Sequence, residues 1–327
     1  MIGPVQGLAR KIIAALELSR LPLALGTVSS AWIMVFVARA DPALVEIPAA
    51  RLPLAVALAA ATVFAAGFLA FGAALNDFLD AKHDRAFAPD RPIPSGSVRP
   101  RRAIQFAALS LLVGIGGALP FGEGALLAAL ALAAIILVYD AFAKHVPALG
   151  FVLVGLATAV SMLVPAHATS LTLPIWLAMS QTMGVGALAY VAGEKRPRLT
   201  RRAVLLGACG WLFWSGAILA VGALRSEGDA LPAWFAPHRL LVPAGVAVLG
   251  AMLLARRFAG ARGPAHGEAI LRAGSLWKSL VAAAWIVALG DTIAGAIVAA
   301  AALSIFGAFA LLREAGPQVA DPATWRG

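Results

Sequence analysis

The chain has 327 residues, of which 61% are hydrophobic and only 13% charged, with a formal net charge of +10. A mean hydropathy of +0.88 lies outside the range of soluble globular domains and indicates a polytopic, all-α membrane protein. The positive balance does not indicate nucleic acid, because the basic residues cluster in the connections between apolar runs, as membrane topology requires.

Residues 1–20 mix Arg10, Lys11 and Arg20 with Ile12, Ile13, Leu16 and Leu18, an amphipathic pattern expected to lie in the interface ahead of the first span. The first apolar run is Leu21 to Val37. Ala38-Arg39-Ala40 follows it, yet the long amphipathic leader argues against a cleaved signal peptide. A second run, Leu52 to Leu75, ends in a polar stretch that reaches Pro100 and reads Asn76-Asp77-Phe-Leu-Asp80-Ala-Lys82-His83-Asp84-Arg85, then Arg91-Pro92-Ile93-Pro94-Ser95-Gly96. On a continuing helix Asn76, Asp80, Asp84 and Asp77 project at about 0°, 40°, 80° and 100°, within roughly a third of the circumference. Three aspartates so placed cost up to about 8–10 kcal/mol if carried to the bilayer centre. A divalent cation offsets that cost, and oxygen donors without His or Cys suit Mg²⁺.

Eight more apolar runs follow: Ala103 to Leu119, Ala125 to Val138, Leu149 to Pro165, Ile175 to Ala192, Ala203 to Leu224, Leu240 to Ala255, Leu276 to Leu289 and Ile293 to Leu312. Some are short of the roughly 20 residues a span needs, so the expectation is nine or ten transmembrane helices. The segment before Asp291 is then either a full span preceding an extra C-terminal one or a re-entrant piece. No soluble domain or linker interrupts the runs, and residues 1–327 read as one domain. Alternate connections hold six basic residues from Lys82 to Arg102, Lys144, five from Lys195 to Arg202 and five from Arg256 to Lys278; the others hold only Arg39, Arg51, Arg225 and Arg239. This bias of seventeen to four places the N-terminus and the acidic stretch on the cytoplasmic side of the inner membrane. The single cysteine, Cys209, excludes an intramolecular disulfide and reads as a small buried hydrophobe.

Asn76-Asp77-x-x-Asp80-x-x-x-Asp84-Arg85 followed by Arg91-Pro92-Ile93-Pro94-Ser95-Gly96-x-Val98 resembles the first signature of the UbiA superfamily of intramembrane prenyltransferases. Arg20-x-Pro22 is similar to the pair that opens that family's first helix. Tyr139, Lys144 and Gly150 resemble its tyrosine, basic pair and glycine, with His145 where arginine is usual. Where the family carries a second acidic motif, this chain has Tyr190-Val-Ala-Gly-Glu194-Lys195-Arg196-Pro197-Arg198. Glu194 stands for the first acid and the cation Arg198 for the second. That departure resembles the divergent EboC-like branch.

The resemblance implies a helical bundle around a central cavity that opens to the cytoplasmic side. It also implies an Mg²⁺-dependent transfer from a polyprenyl diphosphate to an aromatic or other lipophilic acceptor, among membrane lipids. Asn76, Asp77, Asp80 and Asp84 are then the catalytic metal holders, and Arg85, Arg91, Lys144, Lys195 and Arg198 the diphosphate ligands. Arg20, Tyr139, Tyr190 and Glu194 border the acceptor cavity. Phe68 and Phe71, with the two tyrosines, are candidates to stabilise an allylic cation if they line it. Two other readings stay open: a member that binds or translocates a prenyl lipid or metabolite without turnover, and an ion-coupled transporter, which is expected to place its acids at the midplane.

Overall fold

The computed structural model describes residues 21–320 apart from 88 and 90, with side chains described for residues 24–311 except Phe87. Arg20 and the expected interfacial segment 1–20 lie outside the described residues.

Within lipid a backbone must satisfy its own hydrogen bonds, and the described chain does so with twelve helices. In order they are α1 (Leu21–Ala40), α2 (Pro48–Arg51), α3 (Leu54–Leu79), α4 (Ala81–Phe87), α5 (Pro100–Ala118), α6 (Glu123–Ala141), α7 (Pro147–Leu163), α8 (Leu173–Ala192), α9 (Arg201–Arg225), α10 (Leu241–Arg257), α11 (Pro264–Ala288) and α12 (Thr292–Ala320). Each of the ten apolar runs is one of the ten longer helices. Eight of these are long and apolar enough to cross a membrane, while Ala24–Ala40 and Pro147–Leu163 are apolar but shorter. Proline opens α5, α7 and α11 in the first turn, where its missing N–H costs no helical bond.

Packing sorts the long helices into two shells. α1, α3, α6, α7, α8 and α11 touch in sequence and close back on α1, forming a ring. Outside it, α5 lies on α3 and α6, α9 on α7 and α8, α10 on α11, and α12 on α11 and α1. Half of the α11 span is buried in protein, against 11% of the α9 span, as an inner and an outer helix require. Cys209 belongs to α9 and is exposed on that outer face, so it meets the surroundings and not the core as its apolar run suggested.

Two expectations change here. α11 is one continuous helix of 25 residues, long and apolar enough to be a full span before Asp291. It also begins twelve residues ahead of its apolar run, helped by the i,i+4 pair Glu268–Arg272 at 3.5 Å. Arg272 and Lys278 therefore sit inside a helix, not in a connection.

The tightest helix contact joins α3 to α5. A Cβ on Gly67 would stand 2.5 Å from the Gly114 nitrogen, and one on Gly117 would stand 2.3 Å from the Phe64 nitrogen. Only hydrogen lets these backbones approach so closely. The Phe68 ring lies against Gly114, stacked between Phe64 at 5.2 Å and an edge-on Phe71 at 6.5 Å. Phe68 thus packs the α3–α5 seam, away from the ring interior, and is not placed to face an allylic cation. Phe71 packs against it.

Gly67→Val should lower the thermal unfolding midpoint in detergent by the equivalent of about 1–3 kcal/mol or more. Gly116→Ala, whose Cβ meets nothing within 4 Å, should not lower it.

Candidate active site

The acidic stretch sits where α3 passes into α4. The helix changes label at Asp80 but not register: Asp80 N donates to Asn76 O at 2.9 Å, and Asp84 N to Asp80 O at 2.8 Å. Asn76, Asp80 and Asp84 therefore stay on one face, as the spacing predicts.

Two cations are drawn to that face. α6 ends at Ala141, a single 3-10 turn covers Ala143–His145, and α7 restarts at Pro147. The turn lies close on α7 because residue 150 is glycine; a Cβ there would come within 3.2 Å of the Ala143 carbonyl. Lys144 is thereby aimed back at α3. Its Nζ lies 2.6 Å from Asp80 Oδ1 and donates to Asn76 Oδ1 at 3.3 Å. Both side chains of this ion pair are largely shielded, at 10% and 23% exposure. Arg91, from the loop after α4, donates from Nη1 to Asp84 Oδ2 at 2.7 Å, and His83 Nδ1 lies 3.9 Å from Asp84 Oδ1. Asp84 is buried, so the arginine supplies the opposite charge that a buried carboxylate requires.

The donor set suits a hard dication. Asn76 Oδ1 and Asp80 Oδ1 converge on one point, and the ammonium of Lys144 stands there as a cation would. Among the described residues no group of three acidic, histidine or cysteine side chains is gathered at metal-binding distance. The four expected metal holders are thus not assembled as a unit: two converge, and Asp84 is turned toward Arg91.

The third loop is built differently. Tyr190 is held edge-on by Phe151 at 5.5 Å, and its hydroxyl donates to the Pro197 carbonyl at 2.6 Å. Gly263 N donates to Ala192 O at 2.8 Å, tying the loop to the start of α11. Glu194, Lys195, Arg196 and Arg198 are exposed, and Glu194 takes a left-handed φ of 53°. Among the described residues no hydrogen bond or ion pair joins Glu194, Arg198 or Arg85 to the acidic face. His145 is exposed as well. Tyr139 stands near Gly150, 3.7 Å from the position of its absent Cβ.

Three polar groups escaped the reading of the sequence. Asp140 is buried in the last turn of α6, beside Tyr139; an acid at a membrane helix end was visible but was read only as spacing. Gln181 and Lys278 lie in the middle of α8 and α11. Neither belongs to a motif.

The UbiA prenyltransferase family model matches residues 24–279. A digeranylgeranylglyceryl phosphate synthase of Methanopyrus kandleri is 39% identical over 109 residues, 33% of this chain and 40% of that protein. One of Pyrococcus abyssi is 38% identical over 88 residues, 27% and 32% of the two chains. The matched stretch therefore spans less than half the length of these curated relatives. A solved structure described as digeranylgeranylglyceryl phosphate synthase in membranes superposes with a TM-score of 0.58 at 18% identity, covering 86% of this chain and 99% of that one. A UbiA homologue from Archaeoglobus fulgidus bound to GPP and Mg²⁺ gives 0.54 at 16% identity, covering 84% and 99%. These two likenesses establish the fold.

A double-mutant cycle between Asp80→Asn and Lys144→Met, read by thermal or chemical unfolding in detergent, should give a coupling of about 1–3 kcal/mol. The corresponding cycle between Asp84→Asn and Lys144→Met should give less than about 0.5 kcal/mol.

Proposed function

The chain belongs to the UbiA prenyltransferase family, and from that premise we propose that it transfers a prenyl group from a polyprenyl diphosphate to a lipophilic acceptor inside the membrane, with Mg²⁺ as cofactor. The observation that carries this reading is the convergence of Asn76 and Asp80 on Lys144, an oxygen pair and a cation at the polar end of the ring. Prenyl transfer needs both charges: a metal seat, and cations for a leaving group that gains negative charge as its bond to carbon breaks.

Asn76 and Asp80 would hold Mg²⁺; Asp77, one residue along the motif, would join them only on rearrangement, and Asp84 stays with Arg91. When bound, the ion supplies Lewis-acid stabilisation of the departing diphosphate. Lys144 would bind a phosphoryl oxygen of the donor directly. Arg85 from α4, Arg91 from the loop after it, and Lys195 and Arg198 from the third loop would serve as further anion ligands. The allylic carbon then forms its new bond to the acceptor, which loses a proton. The N-terminus and this polar end face the cytoplasm of an inner membrane on the strength of the charge bias. The names of the relatives favour a phosphorylated glyceryl lipid over an aromatic ring as acceptor, and the structural neighbours are described with GPP or DMAPP and Mg²⁺.

A second reading is favoured by one observation. The third loop offers cations and one exposed glutamate in place of a second acidic motif, which also suits a protein that holds a prenyl phosphate without breaking it.

Purified protein given geranyl or geranylgeranyl diphosphate, Mg²⁺ and a prenyl glyceryl phosphate should release pyrophosphate. Asp80→Ala should lower that rate at least about 100-fold, and chelation should abolish it. Tight binding of the diphosphate with no pyrophosphate released would establish the second reading instead.

A further inference from the structure

Halfway along α11 stands a lysine that the transfer chemistry does not use. Lys278 is half-buried among the helices around it. An ionisable group at that depth of a membrane helix is costly without a counter-charge.

Its direction follows from its neighbours on the helix. Ser275 and Ser279 face α1: Gly26 N donates to Ser275 Oγ at 3.1 Å, and Ser29 Oγ to Ser279 Oγ at 2.9 Å. Gly267 and Gly274 face α8, against Ala189 and Gly193 in the first case and Val185 in the second. At 100° per residue the α1 side lies at about +20° from Ser275, the α8 side at about −90° and Lys278 at about −60°. Lys278 therefore falls in the arc between its two ring neighbours, which is the inside of the ring. The opposite side of α11 is covered by α10, to which Trp277 Nε1 donates at Val246 O, 3.3 Å away.

The facing position on α8 is polar too. Val185 abuts Gly274, and in this antiparallel pair one further turn along each helix brings Gln181 opposite Lys278. Gln181 is only 4% exposed, and its Nε2 has no hydrogen-bond partner. Among the described residues neither the Lys278 ammonium nor Gln181 Nε2 has an acceptor, whereas buried polar groups are ordinarily paired. An anion between the two helices would accept from both.

The depth is informative. Trp32 Nε1 donates to Leu58 O and Thr62 Oγ1. Counting six residues from there along antiparallel α1 and α3 sets Gly26, whose absent Cβ would lie 3.3 Å from Lys278 Cδ, level with residues 64–68, roughly 12–18 Å inside Asn76. That interval accommodates the reacting carbon beside the diphosphate and then a small acceptor whose charged end points inward.

We propose that Gln181 and Lys278 form an anion-binding subsite inside the helix ring, which holds the phosphate or carboxylate of the prenyl acceptor and sets the enzyme's preference for acidic acceptors. This rests on the transfer reading above. The ammonium supplies the charge and the amide a directional hydrogen bond, while the acceptor's reacting atom is left toward the Asn76 end. Gln181 and Lys278 are positioning residues: they fix the acceptor and touch no breaking bond.

The test is acceptor binding to the purified full-length chain in detergent, with two matched pairs: a geranyl glyceryl phosphate against its dephosphorylated ether, and 4-hydroxybenzoate against phenol. The wild type should bind the acidic member of one pair at least tenfold more tightly, and the pair that shows the preference identifies phosphate or carboxylate. Lys278→Met should abolish the preference, Lys278→Arg should restore part of it, and Gln181→Leu should weaken it severalfold, with donor KM unchanged in all three. Asp80→Ala, which disables the transfer site, should leave the preference intact, so a preference without turnover upholds the subsite while refuting the transfer reading. No preference in either wild-type pair, or a preference that survives Lys278→Met, would overturn the proposal.

Discussion

A membrane helix that ends in carboxylates must be neutralised, and this fold neutralises it with side chains from outside that helix. Lys144 comes from the turn between α6 and α7, Arg91 from the loop beyond α4, and each takes one aspartate. A partly buried ion pair is costly to break from one side, so Lys144 fixes the polar end of α3 against the α6–α7 turn and Arg91 fixes α4 against the loop that follows it. They also set the charge of the site before any ligand arrives.

The two flanks of that site are unequal. On the acidic side the groups are paired and shielded, and their geometry is set by consecutive i→i−4 bonds through Asp80 and Asp84. On the other side Glu194, Lys195, Arg196 and Arg198 are exposed on a loop whose backbone is held by Tyr190 and by Gly263. Sequence alone suggested that Tyr190 and Glu194 border the acceptor. The hydroxyl of Tyr190 donates to the Pro197 carbonyl, which makes it a clamp on the basic loop.

How much could be read beforehand follows from what each signal measures. Hydropathy sums composition along the chain, and all ten apolar runs are helices where it placed them. The i,i+4 spacing of Asn76 and Asp80 survived because the helix keeps register through the motif, and Lys144 was legible from its place between two short runs. What a residue faces was less legible. Phe68 belongs to the α3–α5 seam because Gly114 leaves room for its ring, and Cys209 looks outward because α9 is an outer helix; neither fact is written in a one-dimensional profile. Lys278 misled for the opposite reason: a cation near the end of a hydropathy window looks like a loop residue, and only the early start of α11 buries it.

The seam between α1 and α11 joins the first ring helix to the last. Its serine contact links residues 29 and 279, 250 positions apart in the chain. Until the final ring helix has entered the bilayer, α1 and α8 lack the helix that joins them, and the ring is open on that side. The acidic motif is therefore complete in the chain long before the wall that faces it: the ring closes only with the last of its helices to be made.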